Sequence, residues 1–256
     1  MLDRILTDAR VRSDRAAAES AALVDAAKRS TPARGFAAGL ARPGLSVVAE
    51  VKRRSPSRGV LAAGLDAGAQ AGIYADAGAA AVSVLTEPFH FDGSLDDLTA
   101  VQGAVAVPVL RKDFLLDPAQ VFEARAAGAD AALLIVAALG ADVLGHMIAA
   151  AAAAGIDALV EVHNLDEASI ARSAGATLIG VNNRNLETFS TDLGVAEALA
   201  SAVQGEGIVT VAESGIHTPE DAKRMSDAGY DAILVGEALV VAEDPALELS
   251  RLVGRS

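Results

Sequence analysis

Several residues of this 256-residue chain combine acid, base and hydrogen-bonding chemistry with an unusual placement, because each stands at the end of a short apolar run. Glu50 and Lys52 close SerValValAlaGluValLys, and Lys112 closes ValProValLeuArgLys. Glu161 sits in AlaLeuValGluVal, Asn182 closes LeuIleGlyValAsn with Arg184 two further on, and Glu213 closes ValThrValAlaGlu ahead of Ser214 and Gly215. Lysines and carboxylates gathered in one place can exchange protons with a substrate. A lysine facing a ketose phosphate can instead form an imine, and the residues alone leave both chemistries open. Glu50 and Lys52 are two apart, as are Asn182 and Arg184, so in extended chain each pair points the same way. Lys52, Arg53, Arg54, Arg58, Arg111, Lys112 and Arg184 all fall in or beside these ends, which in an acidic protein predicts a locally basic site for a small anion.

The elements that must carry these residues are legible from a repeat. Five segments share a small-residue helix ending in Ala-Gly and a β-branched run just after it, with the glycines at 78, 128, 155, 175 and 229. Each glycine is placed where a helix C-terminus turns left-handed, and each following run is short and apolar enough for a buried parallel strand. The two long gaps take one further strand each, around 108–113 and 208–213, and 46–51 precedes all of them. The expected strands are 46–51, 80–86, 108–113, 131–137, 157–163, 177–182, 208–213 and 232–236, each followed by a helix.

Eight such units in about 200 residues fit a closed α/β fold, the (β/α)8 TIM barrel, as one domain over 1–256. No glycine-rich dinucleotide or nucleotide loop is present to favour an open sheet. Residues 1–45 form an extra N-terminal helical segment, with Leu2, Ile5, Leu6 and Ala9 at helical spacing, that either caps the barrel bottom or lies over its mouth. The Ala149–Ala154 tract is expected to be packed helix.

In a barrel every polar strand end converges on one mouth, where active sites of this fold are built. Ion pairs plugging the interior would have no reason to gather at one end. Strand seven runs into Ser214 and Gly215 and strand eight into Gly236, positions where backbone N–H groups hold phosphate. Glu237 fits there only with its carboxylate turned away. The segment from Lys52 to Gly59, hinged by Pro56 and Gly59, reads as a loop that closes over a ligand or as an ordinary surface loop.

Composition excludes several other functions. There is no cysteine, which removes disulfides, thiolate metal sites and cysteine nucleophiles together. Lys plus Arg number 21 against 34 Asp plus Glu, a net charge of −13 that opposes nucleic acid and anionic membranes as partners. His90, His146, His163 and His217 lack metal-ligand spacing, so no metal is expected. His90, His146 and His217 read as surface or loop residues, and His163 shares the parity of Glu161. With no leader pattern and no uninterrupted apolar span, the expectation is a cytoplasmic protein, monomeric by default.

These stretches, in this order, resemble the indole-3-glycerol phosphate synthase family. ValAlaGluValLysArgArgSerProSerArgGly at 48–59 is similar to its first-strand motif, and GlyValAsnAsnArgAsnLeu at 180–186 is nearly as specific. PheAspGlySerLeuAspAspLeu at 91–98, ProValLeuArgLysAspPhe at 108–114, LeuLeuIleValAlaAlaLeu at 133–139 and ValAlaGluSerGlyIle at 211–216 follow. The resemblance implies a cofactor-free lyase that closes the pyrrole ring of 1-(2-carboxyphenylamino)-1-deoxyribulose 5-phosphate with loss of carbon dioxide and water. It implies Lys112 as general acid, Glu161 as base and Lys112 or Lys52 as the acid of dehydration, with Glu50 and Asn182 orienting them. Arg184, Phe91, Phe114, Glu213 and Ser55 would bind the substrate's body, and Lys52, Ser214, Gly215, Gly236 and Glu237 its phosphate. From the residues alone, a Schiff-base sugar-phosphate aldolase and a non-catalytic sugar-phosphate-binding barrel stay open beside this reading.

Overall fold

The computed structural model describes residues 2–186 and 188–252, with only the backbone of Leu2. Three helices come first: α1 (Leu2–Ala18), α2 (Ser20–Arg29) and α3 (Phe36–Leu40). Strand β1 (Ser46–Val51) follows, then a hairpin of β2 (Arg54–Ser55) and β3 (Gly59–Val60) and helix α4 (Ala67–Asp76). Strands and helices then alternate through β4 (Ala81–Leu85), α5 (Leu95–Ala104), β5 (Val109–Lys112), α6 (Pro118–Ala126), β6 (Ala131–Ile135) and α7 (Val136–Ala154). The alternation continues with β7 (Asp157–Val162), α8 (Leu165–Ser173), β8 (Leu178–Asn182), α9 (Gly194–Val203), β9 (Val209–Glu213), α10 (Pro219–Asp227) and β10 (Ala232–Val235). Helices α11 (Glu237–Val240) and α12 (Pro245–Leu252) end the described chain.

Eight strands, β1 and β4 to β10, close a parallel barrel in which β1 pairs with both β4 and β10. All eight lie where the sequence places them, within a residue or two at each end. The five Ala-Gly glycines all take positive φ, from 70° to 97°, so the repeat marks left-handed helix ends. Helix starts are equally local: Asp66, Ser94, Asp117, Asn164 and Thr218 each accept a backbone N–H of the first turn, and Pro118 and Pro219 follow two of them.

Strand alternation divides the core in two. Val48, Leu110, Leu133, Leu159, Leu178, Val211 and Leu234 fill the barrel interior. Their neighbours, among them Val47, Val82, Val109, Leu134, Val160, Ile179 and Ile233, pack outward under the helices. Helix α7 is 19 residues long and apolar enough to cross a membrane. It kinks at Gly140, however, and buries Leu144, Met147, Ala150 and Ala151 in the outer layer of the barrel.

The N-terminal segment resolves the choice between cap and lid by taking both places. At the bottom, Phe36 and Leu40 are fully buried in the interior cluster. Arg34 binds Asp130 through its backbone N–H (2.9 Å) and Nε (2.8 Å), and the N–H of Ala37 donates to Asp157 (2.9 Å). At the top, Ile5 lines the mouth and Arg12 reaches Asp113 (2.7 Å) and Glu87 (3.3 Å). His90 lies in a loop, one of the two places expected for it, but is not at the surface: its side chain is largely buried, with Nε2 3.1 Å from Asp8 of α1.

Candidate active site

Inward-facing positions at the C-terminal ends of the strands carry the polar residues, because the parity that buries Val48, Leu110, Leu159, Leu178 and Val211 also turns Glu50, Lys112, Glu161, Asn182 and Glu213 inward. They line one cleft enclosing about 1060 Å³ of empty space, part of it open to solvent. Lys112 Nζ lies 3.4 Å from Glu161 Oε2 and 3.3 Å from Glu213 Oε2. Lys52 Nζ lies 2.6 Å from Glu50 Oε1, as the two-residue spacing requires.

Two glycines make room for these carboxylates. An Ala β-carbon at Gly180 on β8 would run into Glu213 Oε1, and one at Gly236 would run into Glu50 Oε1. Gly236, expected from the sequence to serve a phosphate loop, is required here on steric grounds.

The charges are unevenly held. Burial would ease deprotonation of Lys112, but the carboxylates of Glu213, Glu161 and Glu50 outweigh it and keep the ammonium charged well above its ordinary range. Burial also opposes charge on Glu161, yet Lys112 and the adjacent imidazole of His163, 3.3 Å away, prevail and hold its carboxyl down at about 2. Burial dominates at Glu213, and repulsion from Glu161 and Glu50 adds to it, raising that carboxyl to about 7 against the pull of Lys112. The two carboxylates flank Lys112 at nearly equal distance. What separates them is the second cation beside Glu161.

At the other end of the cleft Ser214 (φ 66°) and Gly215 (φ 78°) turn left-handed directly after β9. A serine there is strained, and Asn183 holds the turn: its Nδ2 donates to Ser214 O (3.1 Å) while its Oδ1 accepts from Ala196 N (2.9 Å). The Glu237 carboxylate is engaged by Arg58 (2.7 Å). Ser55 is buried and its hydroxyl accepts from the Arg58 N–H (3.2 Å), and Arg184 Nη1 donates to Ser57 Oγ (3.3 Å). The segment after β1 is thus partly ordered as a hairpin and tied across the mouth. Phe91 and Phe114 face each other with ring centroids 6.5 Å apart.

The expected basic mouth is smaller than the sequence suggests. Only Lys52, Lys112 and Arg184 of the seven basic residues line the cleft. Arg53 is spent on Asp97 (2.7 Å to each oxygen), Arg58 on Glu237, and Arg54 is exposed. Arg111 has outward parity and binds Glu123 (2.8 Å), Gln120 O and Asp113.

The sequence reading also missed a supporting layer. Glu87 accepts the backbone N–H groups of Phe89, His90 and Phe91, and Asp113 accepts that of Phe114 (2.8 Å). Arg12 joins the two carboxylates and so fixes both aromatic loops. Leu186 and Phe189 complete the apolar wall. A strand-end acid of outward parity was the available signal for Asp113, and nothing local marked Arg12. Among the described residues no group of three His, Cys, Asp or Glu side chains is placed to hold a metal ion.

A family model described as indole-3-glycerol phosphate synthase matches residues 2–252. The indole-3-glycerol phosphate synthase of Carboxydothermus hydrogenoformans is 50% identical over 209 residues, 82% of this chain and 79% of that protein. That of Rhodococcus jostii is 48% identical over 257 residues, 99% of this chain and 94% of that one. Among solved structures, 3-hexulose-6-phosphate synthase matches with a TM-score of 0.66 at 19% identity, over 82% of this chain and 99% of that one. Thiamine phosphate pyrophosphorylase from Pyrococcus furiosus matches at 0.59 and 18%, over 81% and 93%. These two carry the barrel fold only. Kinship near one-half identity along essentially the whole length gives the placement: the chain belongs to the indole-3-glycerol phosphate synthase family.

Proposed function

We propose that this mouth closes the pyrrole ring of 1-(2-carboxyphenylamino)-1-deoxyribulose 5-phosphate, giving indole-3-glycerol phosphate, carbon dioxide and water in tryptophan biosynthesis. The observation that carries the reading is the buried Lys112 ammonium held between Glu161 and Glu213 at the C-terminal end of the barrel. As the ring carbon bearing the carboxylate attacks the ketone, a carbon–carbon bond forms and Lys112 delivers its proton to the ketone oxygen. Loss of carbon dioxide returns the electron pair to the arene. Dehydration then expels the hydroxyl as water, with Lys112 or Lys52 as acid and Glu161 as the base that takes the anilino proton, and the nitrogen regains a proton as the ring methylene loses one, which leaves the aromatic indole.

Glu161 enters this sequence ionised, which a base requires, and Lys112 enters protonated, which an acid requires. The same charge state weighs against an imine-forming aldolase, since an ammonium is no nucleophile until it loses its proton. Glu50 orients Lys52, and Asn182 supports the loop of Arg184 by accepting its backbone N–H (3.0 Å). Arg184 takes the substrate carboxylate, and Phe91 and Phe114 flank the anthranilate ring. Ser55 and Glu213 complete the binding of the sugar chain. Lys52 and the backbone of Ser214, Gly215, Gly236 and Glu237 hold the phosphate, with the Glu237 carboxylate kept aside by Arg58. The reading carries with it a soluble cytoplasmic enzyme, monomeric, with no nucleic-acid or membrane partner.

The test adds the anthranilate-linked ribulose phosphate to purified protein in the presence of a chelator and follows indole fluorescence. Indole formation is expected, and borohydride reduction with substrate is expected to leave Lys112 unmodified. A stable adduct on Lys112, or binding without product, would replace this reading with the aldolase or the silent sugar-phosphate binder.

A further inference from the structure

His163 lies just beyond the cleft wall, at the end of β7, with its side chain 13% exposed. Its Nε2 is 3.3 Å from Glu161 Oε1, on the opposite oxygen from the one that meets Lys112. Its Nδ1 is 3.0 Å from Glu167 Oε2, and the same oxygen accepts the His163 backbone N–H at 2.9 Å. Glu167 is in turn fixed, because its N–H and Oε1 are both bonded by Asn164 at the start of α8. A continuous chain of contacts thus runs from the N-terminus of α8 through an imidazole to the carboxylate facing Lys112. Glu213, the other neighbour of Lys112, has no second cation of this kind beside it; its two oxygens, like His163 Nε2, make no hydrogen bond of good geometry among the described residues, so the imidazole acts on Glu161 as a charge at 3.3 Å.

We infer that His163, oriented by Glu167, is a positioning residue for the reaction, fixing the Glu161 side chain in place by engaging the oxygen opposite the one that meets Lys112. The inference rests on the assignment of Glu161 as base. The titratable groups facing the imidazole are Glu161 on its own strand and Glu167 on α8, with Lys112 of β5 one carboxylate further on. Both facing groups are acids. They outweigh the burial that would discharge the ring and raise it to about 10, so it is a cation through the neutral range.

The experiment compares His163→Ala, His163→Gln and Glu161→Gln, singly and with His163→Ala combined with Glu161→Gln, in the indole fluorescence assay across pH. His163→Ala is expected to lower kcat by about 10-fold to 100-fold with KM little changed, as loss of alignment does. Its acid limb moves to higher pH, since Glu161 loses the cation that holds its carboxyl down. His163→Gln, which keeps a neutral donor, recovers part of kcat but not the pH profile. In the Glu161→Gln background the His163→Ala change has no further effect, because the two act as one unit. Imidazole nitrogen NMR of the unmodified protein at pH 8 is expected to show both ring nitrogens of His163 protonated. A neutral His163, a loss confined to KM, or an unmoved acid limb overturns the inference while leaving Glu161 in its role. Full turnover by Glu161→Gln instead removes the base assignment itself, and the inference with it.

Discussion

Gly180→Ala adds one methyl group to a strand that is otherwise unstrained, at a point where the interior has no room for it. The new β-carbon would stand 3.3 Å from Leu159 Cδ1 and 3.2 Å from Glu213 Cδ, and would collide with Glu213 Oε1. Leu159 is fully buried in the interior cluster, so the carboxylate must give way. Overpacking of this kind costs about 1–3 kcal/mol, which for a chain of this size lowers the melting temperature by roughly 2–12 °C. The functional cost is larger in proportion. Glu213 Oε2 now sits 3.3 Å from Lys112 Nζ, and a displacement of about 1 Å in a catalytic constellation costs about 100-fold in rate. Thermal unfolding by circular dichroism and the indole fluorescence assay measure the two effects. Shortening the acid, with Glu213→Asp in the Gly180→Ala background, is expected to restore part of the lost stability without restoring turnover. A variant melting within a degree of the parent and turning over at the parent rate would refute the steric argument.

Lys112→Met is expected to lower kcat by at least about 10²–10⁴ with substrate binding largely kept, and calorimetry showing an equal loss of binding would count against its role as acid. Arg12→Ala leaves Glu87 and Asp113 buried with one cation fewer, although Asp113 keeps Arg111 and Thr86. That places the cost near the low end for a broken buried pair, about 3 kcal/mol, and an unchanged denaturant midpoint would mean that α1 is held by other contacts. Glu213, raised to about 7 when folded against about 4.3 when unfolded, keeps a proton in the native state that the unfolded chain releases. Its contribution to stability is therefore full below about pH 4 and is lost as pH rises through 7. Glu213→Gln should flatten the decline of stability between those values, by an amount on the order of 3 kcal/mol, and parallel curves for the two proteins would contradict the assignment.

The barrel was legible because its signals are local. An Ala-Gly helix end, a run of four to six apolar residues and a polar strand end recur in register, and parity alone sends Glu50, Lys112, Glu161, Asn182 and Glu213 inward. Parity would also have separated Lys112 from Arg111, but proximity in sequence to the mouth counted both as site cations, and Arg111 faces Glu123 on the outside. Arg53 and Arg58 went the same way: their partners, Asp97 and Glu237, come from distant parts of the chain that no local pattern connects to them. Arg12 shows the limit most clearly. It is one of several arginines on a polar helix, and only docking onto Glu87 and Asp113, more than seventy residues away, distinguishes it. Gly180 carries no local signal of its duty, since the carboxylate it accommodates comes from the next strand over.

The segment that spans both ends of the barrel also ties together parts of the chain that are far apart in sequence. The carboxylates that anchor residues 12, 34 and 37 lie 101, 96 and 120 residues downstream of them. Such anchors form only after long loops have closed, and two of them, Asp130 and Asp157, stand at the openings of strands β6 and β7, so neither is in place until its strand has paired. The N-terminal segment is therefore tied down by contacts of high sequence separation, each of which depends on the barrel strands already being paired. Phe36 and Leu40, the side chains that close the lower end of the barrel, pack against residues drawn from several strands, among them Val48, Ala81, Leu110 and Ala131, so the lower seal exists only on the closed barrel.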